Sequence, residues 1–170
     1  MRTLDSGRTA LVLVDLMDRI VALPLAPRPG TDVLAVSLEL ATVFRAAGAA
    51  VVALRVERPN VAEQPAGSAL VAEVAALADA VLVKRTIGGF HGTGLHELLQ
   101  AHGVDTLVFA GIATNLGVES TARAAADHGY ELLFVEDAMA ALTEAEHRSS
   151  ADLDLPRFGE VVEREAVRFG

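Results

Sequence analysis

Cysteine is missing from all 170 residues, which excludes disulfides, thiolate metal sites and any cysteine nucleophile. Tryptophan is absent as well, tyrosine occurs once, and only 4% of residues are aromatic although 52% are hydrophobic. Ala, Val and Leu must therefore build the core, which suits close packing of helices on a sheet. No apolar run approaches the roughly 18 residues that a membrane span requires. The polar start Met1 to Arg8 leads into Thr9 to Val14, too brief for the apolar core of a signal peptide. A cytoplasmic protein with no membrane partner is the expectation. Positive charge is scarce, 14 Lys and Arg against 23 Asp and Glu for a net charge of -9, which opposes binding to nucleic acid. With no repeat, low-complexity tract or linker, residues 1–170 read as a single domain.

What is present alternates between strand and helix. Thr9 to Val14 is apolar throughout, the pattern of a central parallel strand covered on both faces, and it ends at Asp15. A carboxylate there either caps the junction or faces a ligand at the strand's carboxyl end. Pro24, Pro27 and Pro29 make the next stretch a loop, and Thr31 is the expected N-cap of a helix reaching Ala47. Ala49 to Val56 is a second strand, Glu57 to Gly67 a loop, and Ser68 to Leu77 an alanine-rich helix. Ala80 to Val83 is a third strand, followed by Lys84 and Arg85 and then by a glycine-dense loop with Phe90 and His91. That loop lacks the Gly-Lys-Ser/Thr ending of a phosphate-binding loop. Thr93 opens a helix to His102, and Val104 to Ala110 is a fourth strand. The turn Gly111 to Gly117 then feeds a helix ending near His128, whose first N–H groups offer an anion or oxyanion site. Glu131 to Val135 is a fifth strand, Thr143 to Glu146 a capping box opening another helix, and Gly159 to Val162 a short last strand. Such alternation predicts right-handed crossovers and an α/β fold, a three-layer α/β/α sandwich on a mainly parallel sheet of about six strands.

Asp15, Lys84 and the turn Thr114 to Gly117 each follow a strand, so a parallel sheet gathers them on one edge. These segments also resemble the isochorismatase-like (cysteine hydrolase) superfamily. The resemblance is carried by Val14-Asp15-Leu16, Val83-Lys84-Arg85, Gly111-Ile112-Ala113-Thr114-Asn115 and Val118-Glu119-Ser120-Thr121-Ala122-Arg123. Gly129-Tyr130, Glu136-Asp137-Ala138, Glu144 to His147 and Pro156-Arg157 extend it over nearly the whole chain, in order. Most members of that superfamily use an Asp, a Lys and a Cys. Asp15 and Lys84 match the first two, and Gly117 stands at the degenerate nucleophile position. Hydrolysis through a thioester is thereby excluded. Isochorismatases proper, which cleave a vinyl ether without a covalent enzyme intermediate, share that glycine, as does a group of bacterial homologues whose pattern matches Lys84 to Thr93.

The resemblance implies a hydrolase acting on a small molecule, in which Asp15 is general acid or base, Lys84 orients it, and the turn at Ala113, Thr114 and Gly117 supplies backbone N–H groups to an oxyanion. Leu16, Met17, Ile20, Phe90, His91 and Leu116 are the expected lining, with Arg55 or Arg85 available to a carboxylate. Ser120 and Thr121, a turn beyond Gly117, read as surface or capping hydroxyls. The resemblance further implies a cis peptide at Ile112–Ala113 and a homodimer or larger homo-oligomer. No cofactor is expected, and no metal: Arg55 to Asn60 lacks the histidines of a nicotinamidase metal site, and no two of the five histidines stand at i, i+4. The alternative is a catalytically inactive member that binds a small molecule or serves as an oligomeric scaffold.

Overall fold

The computed structural model describes residues 3–170. In chain order its elements are β1 (Thr3–Leu4), β2 (Thr9–Val14), α1 (Asp18–Val21), α2 (Gly30–Ala47) and β3 (Ala50–Val56). Next come α3 (Ala72–Leu77), β4 (Ala80–Lys84), α4 (Leu95–Ala101), β5 (Thr106–Ile112) and α5 (Glu119–Asp127). The chain closes with β6 (Glu131–Ala140), α6 (Glu144–Arg148), β7 (Glu160–Val162) and β8 (Arg168–Phe169). Six strands form one parallel sheet in the order β4-β3-β2-β5-β6-β7, and β1 pairs with β8 separately.

The apolar strands are continuous because helices cover both faces of the sheet. Successive side chains point to opposite faces. Leu11 and Leu13 of β2 therefore join Val108 and Ala110 of β5 under Val33, Leu40 and Phe44 of α2. Ala10, Val12 and Val14 join Leu107 and Phe109 under Leu95 and Leu99 of α4 and Ala122 and Ala125 of α5. The result is the expected three-layer α/β/α sandwich. Chain order runs outward from β2 through β3 to β4, then jumps back to β5 on the other side. The reversal between β2 and β5 is a topological switch point, where open α/β sheets bind ligands beyond the strands' carboxyl ends.

Several boundaries differ from the sequence reading. Thr31 does not cap α2. Pro29 holds that position, losing no N–H, and its carbonyl accepts from Asp32 and Val33. The helix expected from Ser68 begins only at Ala72, because Leu70 pairs with Met17 and the Val71 N–H is taken by the Leu16 carbonyl. Strand β6 continues past Val135 to Ala140 with a register irregularity, Phe109 opposing Phe134 but Gly111 opposing Met139. The run of Glu136 and Asp137, polar by composition, falls in this irregular stretch, opposite no residue of β5. Thr143 does cap α6, accepting from the Glu146 N–H at 3.2 Å.

Candidate active site

Three strand ends meet beside the switch point. Asp15 leaves β2 with φ 52°, a left-handed conformation that Asp tolerates better than most residues. Its N–H still bonds the Leu54 carbonyl of β3 at 3.0 Å. This turn drives Leu16 and Met17 inward, where both are fully buried beneath the sheet, and leaves the Asp15 carboxylate at the edge.

Lys84 closes β4 and reaches across β3 to Asp15. Its Nζ lies 2.8 Å from Asp15 Oδ2, 2.9 Å from the Ile87 carbonyl and 3.4 Å from that of Thr86. Three acceptors thus meet the three donors of a buried ammonium, which would otherwise be costly to desolvate. Asp15 is less completely served, since Oδ1 is buried without a hydrogen-bond partner. Burial lifts the Asp15 carboxyl above its ordinary value, overcoming the opposite pull of Lys84 and of Arg19.

Gly111 of β5 brings the third part close. Its φ of 126° suits glycine alone, and a Cβ there would strike the Val14 backbone. Beyond it the Ile112–Ala113 peptide is cis, and the chain makes one π-helical turn, Thr114–Val118, before α5. Gly117 faces Asp15 directly. A Cβ at this position would lie 2.9 Å from Val14 Cγ1 and 3.2 Å from Asp15 Oδ2. Glycine therefore puts no side chain against Asp15 Oδ2, where any longer side chain at 117 would begin.

These groups open into a cavity of about 410 Å³ whose walls include Asp15, Lys84, Ala113 and Gly117. Ile20 and Leu116 line it, as read from the sequence; Leu16, Met17, Phe90 and His91 do not. Phe90 turns to the opposite layer, its ring 5.0 Å from that of His128, while His91 is exposed. Thr114 is also off the wall, fully buried, with its hydroxyl 2.8 Å from His147 Nδ1. Arg85 reaches the cavity and Arg55 does not; both bind Glu57, at 3.1 and 2.7 Å. The Thr121 hydroxyl donates to the Gly117 carbonyl at 2.6 Å and accepts from the Gly89 N–H at 2.9 Å, tying the glycine loop to the turn. Leu23, Leu25, Pro59 and Leu142 complete the wall from loops distant in sequence, and no local pattern marks them. Among the described residues no three His, Cys, Asp or Glu gather as a metal site, and no helix is long and apolar enough to cross a membrane.

Known proteins share this architecture. The Isochorismatase domain matches residues 9–166. The isochorismatase family protein YecD of Escherichia coli O157:H7 is 35% identical over 178 aligned positions, covering 95% of each chain. An isochorismatase family protein from Burkholderia thailandensis superposes with a TM-score of 0.83 at 34% identity, over 97% of this chain and 95% of that one. A cysteine hydrolase from Pseudomonas syringae pv. phaseolicola, at 24% identity, shares the fold with a TM-score of 0.82 over 97% and 92% of the two chains. With strand ends, sheet order and similarity over 95% of its length in agreement, the chain belongs to the isochorismatase family of hydrolases.

Proposed function

We propose that this protein hydrolyses a small molecule without forming a covalent enzyme intermediate, with Asp15 as the proton donor. The observation that carries this reading is the Asp15 carboxyl itself: buried, raised in pKa, without a hydrogen-bond partner at Oδ1, and part of the cavity wall beside Gly117. A carboxyl whose pKa burial raises suits general acid catalysis.

A vinyl ether is the substrate type that fits such a donor. Asp15 gives its proton to the enol-ether carbon, and the ether oxygen delocalises the resulting cation. Water adds to the cationic carbon and returns one proton to Asp15. The hemiketal then breaks its carbon–oxygen bond, passing its hydroxyl proton to the departing oxygen, and yields a ketone and an alcohol. Lys84 holds Asp15 in position, and the backbone N–H groups of Ala113 and Gly117 receive the departing oxygen as negative charge develops on it. The side chains of Ile20 and Leu116 supply an apolar wall that limits competing solvation.

The test is turnover of isochorismate and simpler vinyl ethers, measured against pH. Wild type is expected to lose kcat/KM as pH rises through the raised Asp15 pKa, because the acid form is the active one. Asp15→Asn is expected to lower kcat by about 10²- to 10⁴-fold. A rate that instead climbs with pH would make Asp15 a base, and an inert wild type would sink the enzyme reading. In that event the rival is a small-molecule-binding or scaffold protein, which Gly117 at the nucleophile position favours.

A further inference from the structure

Behind the turn that carries Ala113 and Gly117 lies a polar chain that the proposed chemistry does not use. His147, on α6, is fully buried. Its Nε2 lies 2.6 Å from Glu136 Oε1 and its Nδ1 lies 2.8 Å from Thr114 Oγ1. On the far side Arg28 donates to both Glu136 carboxylate oxygens, at 3.2 and 3.0 Å, and to the Glu136 and Met139 carbonyls, at 2.9 and 2.6 Å. Those carbonyls border the irregular stretch of β6 where the ladder to β5 slips, so Arg28 supplies donors that the strand partner does not.

The donor directions follow from charge. Held near pKa 2 by His147 and Arg28, Glu136 is ionised and only accepts. His147 Nε2 therefore carries a proton and donates to it. Its Nδ1 is left to pair with the Thr114 hydroxyl. The Thr114 carbonyl accepts from the Glu119 N–H and from Ser150 Oγ, the latter at 3.3 Å, and that hydroxyl also reaches Glu119 Oε2 at 2.6 Å. The first residue of the π-helical turn is thus gripped through both side chain and backbone. The same chain of bonds anchors the loop after α1: Arg28 lies just beyond Leu23 and Leu25 of the cavity wall, and Ala26 pairs with Ala141 beside Leu142.

We propose that His147 and Thr114 are positioning residues of the active site, setting the turn from Ala113 to Gly117 relative to Asp15. This rests on the hydrolase reading above. Neither side chain touches the cavity, so their effect passes through the backbone to Gly117, which lines the cavity beside Asp15.

The experiment compares Thr114→Val, which keeps the shape and removes the hydroxyl, with Thr114→Ser, which keeps the hydroxyl. Two further variants split the imidazole: His147→Asn retains a polar group near Nδ1, and His147→Gln one near Nε2. Steady-state kinetics on the vinyl ether and amide NMR of the substrate-free protein are read together. Thr114→Val is expected to lower kcat by about 10- to 100-fold with KM changed less than about threefold, and to move the Leu116 and Gly117 amide resonances. Thr114→Ser restores both, and His147→Asn keeps more kcat than His147→Gln. A wild-type kcat with an unmoved Gly117 resonance in Thr114→Val overturns the proposal. So does a Thr114→Ser variant as impaired as Thr114→Val, its loss following Tm alone. If wild type turns over nothing, the hydrolase reading fails, and the Gly117 resonance alone then decides the positioning claim.

Discussion

Asp15 and Lys84 are both nearly inaccessible, at 5% and 2% exposure, yet the two respond differently to loss of the partner. A buried ion pair contributes little net stability, whereas removing one member strands the other charge. Asp15→Asn leaves the Lys84 ammonium buried with neutral acceptors alone, a loss of about 3 kcal/mol wherever Asp15 is ionised in the wild type. Lys84→Met leaves Asp15, which escapes by staying protonated. Its folded pKa is already raised, so the folded state holds the proton at pH values where the unfolded chain releases it. Stability of Lys84→Met is therefore greatest in acid and falls as pH rises from the ordinary Asp value through the folded one. Denaturant titrations of both variants across pH 4 to 8 check this asymmetry; parallel curves would refute it. Asp15, Lys84 and Gly117 were legible in the sequence because each follows an apolar strand, and a parallel sheet aligns its strand ends. The bond of Thr114 to His147 was not, since it joins residues 33 positions apart.

Strand β5 can deliver its turn to Asp15 because Gly111 lets it run close against β2. A Cβ at 111 would collide with the Val14 carbonyl and nitrogen, and its φ of 126° excludes other side chains. Gly111→Ala is expected to destabilise the fold by about 2 kcal/mol or more through both effects. It should also separate Gly117 from Asp15, so activity at temperatures well below Tm falls further than the folded fraction. Thermal unfolding alongside single-temperature kinetics distinguishes the two losses. Helix α3 and strand β6 show where local pattern gives way. Residues 68 to 71 lead into an alanine-rich stretch, but Leu16 and Met17 offer their backbone first, and the helix shortens. Glu136 and Asp137 lie within β6 since Arg28 and His147 satisfy Glu136 there, and Asp137 accepts the Arg164 N–H at 2.9 Å.

The network of Arg28, Glu136 and His147 links the loop before α2, strand β6 and helix α6, and so bears on the stability of the molecule in acid. Glu136 is lowered from its ordinary 4.5 to about 2, first by the hydrogen bond from His147 and then by Arg28. A lowered carboxyl contributes stability that is fully present above 4.5 and disappears as pH falls toward 2. A displacement of that size corresponds to about 3 kcal/mol. Glu136→Gln should therefore be less stable than wild type at neutral pH and converge on it in acid, which urea midpoints between pH 2 and 7 measure. Equal pH slopes in the two proteins would contradict the assignment. The alternation of apolar strand and helix determined the three layers, the parallel sheet and the edge on which the site lies, because periodicity and burial are local properties that topology rules convert into a fold. Only the tertiary structure decided which side chains reach the cavity. Whether Leu16 faces substrate or core, whether Phe90 joins one layer or the other, and what holds Thr114 all depend on contacts between segments far apart in sequence. The balance at Asp15 was decided there as well: the residues name a carboxylate and an ammonium, but desolvation, which only packing creates, raises the carboxyl above its ordinary value.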